Sequence, residues 1–173
     1  AFFDGATGAV RYGEKVDDTW SWETPAITGD ALSTPSVAVD DAGDPHVFFR
    51  QDASTPFVHA VRESGAWTLE TVDPQNGAGA YSSVVIDADG SLHVAYCSRS
   101  GGGRYAVDRG AGWEIATFPS ESDVAYPDLA LDGEGFAHVA FVREHLDEYV
   151  LMYATNRSGQ WETEAPVVGW QPA

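Results

Sequence analysis

Only one cysteine, Cys97, occurs among 173 residues, so no internal disulfide can form and no second thiol can share a metal with it. Lysine is as scarce. Lys15 stands alone beside eight arginines, and the 9 basic residues face 27 acidic ones for a net charge of −18. That field repels phosphate backbones and anionic lipid, which excludes nucleic-acid or membrane-surface binding as a main role. No apolar run approaches the ~20 residues of a membrane span. Helical periods bounded by caps are missing too, so almost no helix is expected. Core-forming material is not in deficit: 43% of residues are hydrophobic and 12% aromatic, which excludes wholesale disorder.

What is present is a repeat. Trp20, Trp67, Trp113 and Trp161 stand 47, 46 and 48 residues apart. His46, His93 and His138 are separated by 47 and 45, as are Gly43, Gly90 and Gly135, and Asp40, Asp87 and Asp132. A fifth column holds Tyr12, His59, Tyr105 and Tyr153, each eight residues before its tryptophan.

Each unit reads as four short strands. The first is Ser36 to Asp40, matched by Ser83 to Asp87 and Asp128 to Asp132. These runs are mostly apolar on both faces, the pattern of an inner strand packed on both sides. A tight Asp-x-x-Gly turn follows, in which aspartate caps the turn and glycine supplies positive φ. His46-Val47-Phe48-Phe49 and its two copies form the second strand, the Tyr/His column lies on the third, and tryptophan opens the fourth.

Four antiparallel strands per ~40–50 residues is the spacing of a β-propeller blade. The run PSVAVDDAGDPHVFF, followed by AVRESGAWTLETV, resembles the bacterial propeller repeats of the sialidase-like, Asp-box-related superfamily, over Ala1 to about Val168. The resemblance implies an all-β propeller. The Asp-box itself is not reproduced, because histidine follows the turn where the box has tryptophan. A sialidase would need arginines gripping a carboxylate; Arg50, Arg99 and Arg143 fall in equivalent loops.

The expected organisation is a single propeller segment: a partial blade over 1–26, then blades over 27–73, 74–119 and 120–173, about 3.75 blades or 15 strands. The chain enters on a second strand, because Ala1-Phe2-Phe3 aligns with Val47-Phe48-Phe49. Known propellers have ~4–8 blades, and an open arc leaves bare sheet edges. Three completions are open: self-association of copies, continuation in a longer protein, or a tight four-bladed ring short of one strand.

For chemistry, the histidine column is read as bonding its local aspartate or backbone, not a metal. The tryptophans are read as packing blade against blade. Calcium at Asp87 and Asp89 is the one cofactor the turns offer, though each turn brings two or three oxygens where calcium takes ~6–8. No catalytic triad, phosphate loop or zinc pattern is found. Ligand contacts are placed on the loop face: Tyr81 and Tyr126 at matched positions before inner strands, with Asp123, Arg50, Arg99, Arg143 and Glu144. Aromatic rings beside carboxylates and arginines suit a glycan or another polar, hydroxyl-rich ligand. The acidic, lysine-poor surface and the sequon Asn156-Arg157-Ser158 fit a secreted, extracellular protein. The function expected is non-catalytic glycan recognition. A protein-binding scaffold and a carbohydrate-active enzyme fragment are the alternatives.

Overall fold

The computed structural model describes residues 1–26, 34–51, 56–75, 77–98, 102–120, 123–145 and 148–166. Fifteen strands run through them, with no helix among the described residues, and so none long and apolar enough to cross a membrane. They form four antiparallel sheets of the propeller-blade type. The first has three strands, β1 (Phe2–Asp4), β2 (Ala9–Val16) and β3 (Thr19–Ala26). The second is β4 (Ser36–Val39), β5 (Pro45–Arg50), β6 (Phe57–Glu63) and β7 (Ala66–Asp73). The third is β8 (Ala78–Ile86), β9 (Leu92–Ser98), β10 (Gly103–Asp108) and β11 (Trp113–Phe118). The last is β12 (Asp123–Leu131), β13 (Ala137–His145), β14 (Glu148–Thr155) and β15 (Glu162–Glu164). Neighbours in sequence are neighbours in each sheet, so every sheet is a simple meander. The chain divides into two compact units, Ala1–Ala80 and Tyr81–Ala173.

Burial corrects one expectation. The inner strand was to be covered on both faces, yet β4 leaves Val37 and Val39 40% and 56% exposed. Its place explains this: β4 is an edge strand with one bonded neighbour. The second strand has a neighbour on each side and carries the core instead. In β5, Val47, Phe48 and Phe49 are wholly buried, and β9 is buried along its whole length, Cys97 included.

The Asp-x-x-Gly turns behave alike. One carboxylate oxygen of Asp40 accepts from the amides of Ala42 and Asp44 at 2.9 and 2.8 Å. Asp87 does the same for Asp89 and Ser91, and Asp132 for Glu134 and Phe136. Gly43, Gly90 and Gly135 close the turns at φ of 87°, 82° and 84°, a region that L side chains avoid. The second oxygen reaches the histidine of the next strand: Asp87 to His93 at 3.0 Å, Asp132 to His138 at 3.2 Å, and Asp40 to His46 at a longer 3.5 Å. The other face of the ring meets the Tyr/His column. His93 Nδ1 bonds the Tyr105 hydroxyl, His138 Nδ1 bonds that of Tyr153 at 2.5 Å, and His46 Nδ1 meets His59 Nε2 at 2.9 Å. The histidines are thus structural, as the turn spacing implied.

These bonds hold the turn carboxyls below the usual aspartate range. At Asp40 the largest influence is the Asp44 amide. At Asp87 and Asp132 desolvation is the largest single influence and pushes upward, but the histidine and two backbone amides outweigh it. A carboxyl lowered by folding adds stability that is full above its ordinary value of 3.8 and disappears as pH falls through the folded value. The stability gap between the native protein and Asp87→Asn is therefore expected to shrink as pH falls below about 4, read by urea unfolding across pH.

Close packing gives a second expectation. A Cβ on Gly103 would lie 1.7 Å from the Phe118 ring, which is itself buried against Phe141 and Trp161 and cannot retreat. Gly103→Ala should cost about 1–3 kcal/mol or more in thermal or urea melts.

Candidate functional site

In the unit Ala1–Ala80, two sheets meet through a few side chains whose placement follows from strand register. Tyr12 pairs with Glu23 across β2 and β3, and Arg62 pairs with Trp67 across β6 and β7. Directly opposed residues project to the same side of a sheet. The Trp67 indole stands edge-on to Tyr12, centroids 5.5 Å apart at 68°. Its Nε1–H donates to Glu23 Oε2 at 2.7 Å. Arg62 fills the remaining space, donating to Glu23 Oε1 at 2.5 Å and to Glu14 Oε2 at 2.9 Å, with its guanidinium 5.5 Å from the Tyr12 ring centre. One sheet supplies a plug, Arg62 and Trp67; the other supplies a receiver, Tyr12 and Glu23.

The unit Tyr81–Ala173 repeats the aromatic part and changes the rest. Trp161 packs on Tyr105 at 5.1 Å and 58°, and on Phe118 at 5.4 Å. Tyr105 pairs with Ala116, so alanine stands where the first seam has Glu23. The register of β14 and β15 puts Asn156 opposite Trp161, where the first seam has Arg62. Both members of the ion pair are replaced by smaller side chains. The space they vacate is a groove of about 500 Å³, lined by Tyr105, Arg109, Glu114, Ala116, Asn156 and Trp161 among others.

Its chemistry is mixed. The tryptophan forms an aromatic wall. Arg109 and Glu114, paired at 3.4 Å and well exposed, bring both signs of charge. Asn156 Oδ1 accepts from the Ala137 amide at 2.8 Å, which fixes the orientation of its side-chain amide. The Tyr105 hydroxyl stays neutral: burial pushes it up to about 12.

The residues placed on the loop face are partly reunited. Tyr81 and Tyr126 come together, with ring centroids 4.4 Å apart at 46°. They lie inside β8 and β12 and not in loops before them, because both strands run further than their apolar cores. Tyr126 is 61% exposed with φ of 51°, at a register shift between Ala125 and Asp128. Pro127, next in line, has no N–H to give the ladder, and the strand bulges there. Arg143 and Glu144 belong to β13, not to a connection. Their backbone partners are Val124 and Asp123, which puts Asp123, Arg143 and Glu144 at one end of the last sheet, and Arg143 is partly buried. Arg50 departs from expectation: it is wholly buried at the end of β5, its Nη1 3.5 Å from the Gly77 carbonyl, where a ligand from solvent does not reach. Arg99 lies outside the described residues.

Calcium finds little room at the Asp87 turn. Both oxygens of Asp87 already face backbone amides and His93, and no group of three or more metal-ligating side chains occurs among the described residues.

Arg109, Glu114 and Asn156 were not placed among the ligand contacts from sequence, and Trp161 was read as blade packing first and sugar stacking second. A signal existed: Glu23, Glu70 and Glu164 form a column at the repeat spacing, and Ala116 interrupts it. Its meaning needed the strand pairing that sets this column against the tryptophan of the next sheet.

No protein-family model matches the chain, and no curated protein matches it. Among solved structures, its fold is similar to a fucose lectin from Kordia zhangzhouensis in complex with methyl-fucoside, with TM-score 0.54, 18% identity, and 76% of this chain and 97% of that one covered. It is also similar to a triple arginine-to-alanine mutant of AofleA from Arthrobotrys oligospora (0.57, 17%, 86% and 48%). The fucose-specific lectin from Aleuria aurantia is a third (0.56, 14%, 94% and 55%). The chain spans nearly the whole Kordia lectin and about half of each fungal one. At identities this low the likeness shows the fold alone.

The closed seam sets an expectation of its own. Glu23→Ala removes the acceptor of both Trp67 and Arg62, and should lower stability by about 1 kcal/mol, discounted for partial exposure, in urea unfolding.

Proposed function

We propose that the chain is a lectin-like module that holds a glycan in the Trp161 groove without covalent chemistry. One observation carries this reading: the Glu23 and Arg62 of the closed seam are replaced by Ala116 and Asn156, and the opening that results has an aromatic wall and flanking charges of both signs. A sugar needs that mixture, because its CH face stacks on an indole while its hydroxyls exchange hydrogen bonds with carboxylate, guanidinium and amide. The volume falls within the ~300–1,000 Å³ of small-molecule sites. Two of the similar proteins, from Kordia zhangzhouensis and Aleuria aurantia, are described as fucose lectins, which supports the reading and makes α-L-fucosides the first probes. An extracellular place of work and a kinship with the sialidase-like repeats belong to the same proposal.

A second location is favoured by Tyr126, which pairs high exposure with a left-handed backbone that a tyrosine adopts only under constraint. With Tyr81, and with Asp123, Arg143 and Glu144 nearby in the backbone register, it would present a pair of inclined aromatic rings.

Binding of methyl α-L-fucoside by calorimetry, beside a glycan array, tests both. Ala116→Glu should give Trp161 the acceptor that Glu23 gives Trp67, so the seam stays folded while the groove fills. Affinity is expected to fall at least about tenfold in Ala116→Glu and to stay unchanged in Tyr126→Ala. The reverse pattern would move the site to the tyrosine pair. A native protein that binds nothing on the array would overturn the lectin reading.

A further inference from the structure

Every sheet carries the two halves of a seam on opposite faces, and in two places the halves are left bare. The plug face of the first sheet holds the residues equivalent to Arg62 and Trp67. Lys15 pairs with Trp20 across β2 and β3, as Arg62 pairs with Trp67. Trp20 and Trp22 stack at 5.4 Å and 16°, Phe2 packs edge-on to Trp22, and the three are 56%, 51% and 45% exposed. Gly13 lies beneath this cluster, where a Cβ would meet the Trp22 ring at 2.4 Å, so the indoles lie close against the sheet. Arg11 and Lys15 bring positive charge to this face, Arg11 donating to Thr24 at 2.8 Å and Lys15 to Asp18 at 2.6 Å, so a docking carboxylate would compete with Asp18 for Lys15.

The receiver face of the last sheet shows the complement. Tyr153 pairs with Glu164 across β14 and β15, as Tyr12 pairs with Glu23. Tyr149 and Leu151 project to the same side and are 57% and 49% exposed. Glu162 and Glu164 are exposed as well.

The geometry points to a second copy of this chain as the occupant: Lys15 and Trp20 of one copy dock on Tyr153 and Glu164 of the other. Four observations support it. The aromatic plug matches the type that covers Tyr12 and Tyr105 in the two seams already formed. The charges are complementary, Arg11 and Lys15 against Glu162 and Glu164. Glu164 occupies the receiver position of Glu23, so it can accept from both the indole N–H and the lysine, as Glu23 accepts from Trp67 and Arg62. Finally, among the described residues, much of the exposed large apolar surface lies on these two faces. Plug and receiver are different surfaces, so the contact is heterologous.

Sedimentation velocity of the full chain, with circular dichroism to confirm folding, tests the contact. The native chain should sediment as a dimer at micromolar concentration. Trp20→Ser and Glu164→Lys should each weaken dimerisation at least about tenfold. The double variant Lys15→Glu with Glu164→Lys swaps the charges and should restore association relative to Glu164→Lys alone. Mixing Trp20→Ser with Glu164→Lys should give 1:1 pairs, because one intact plug still finds one intact receiver. A native chain that stays monomeric at all concentrations, as closure of its own two faces would make it, overturns the proposal. So does a dimer indifferent to Trp20→Ser and Glu164→Lys.

Discussion

A tryptophan on one sheet, laid against a ring of the sheet before it, is the contact on which this architecture depends, and in the first seam it is also hydrogen-bonded to that sheet's glutamate. A single four-stranded meander has two faces and little to bury between them; it becomes stable when a neighbour covers it. In the seam of Tyr12, Glu23, Arg62 and Trp67, each polar group that leaves water finds a partner, so the aromatic burial is kept without an orphaned charge. The buried second strands β5 and β9 supply the cohesion within each sheet, and the seam supplies it between sheets.

The same arrangement explains how a repeat can fold uniformly and still acquire one distinct place. The indole stacking persists at Trp161, so the seam beside Tyr105 survives while its polar half is cut back to Ala116 and Asn156. Folding and recognition are separated at the level of single side chains. The rings keep the sheets together, and the pair that elsewhere fills the seam is the part free to vary.

Much of this architecture was legible in the sequence, because the columns of Trp, His, Gly and Asp repeat at one spacing and each has a local job. The turn aspartates and their histidines need no long-range knowledge; their partners lie within six residues. The three strands of the first sheet were legible by aligning Ala1-Phe2-Phe3 with Val47-Phe48-Phe49. What stayed hidden depends on pairing between strands. The lengths of β8, β12 and β13 are set by partners and not by apolar runs, so Tyr81, Tyr126, Arg143 and Glu144 looked like loop residues. Arg50 reads as surface by its type and is buried by its position. Ala116 is inconspicuous until Tyr105 is seen beside it and Trp161 above.

That donor and acceptor surfaces occupy opposite sides of each repeat bears on how such a polypeptide can lengthen. Duplicating one repeat adds a tryptophan side and a tyrosine–glutamate side together. The new member satisfies its predecessor and leaves an identical vacancy beyond itself. Duplicating a repeat therefore preserves the complementarity of its two sides, whatever number of repeats is joined.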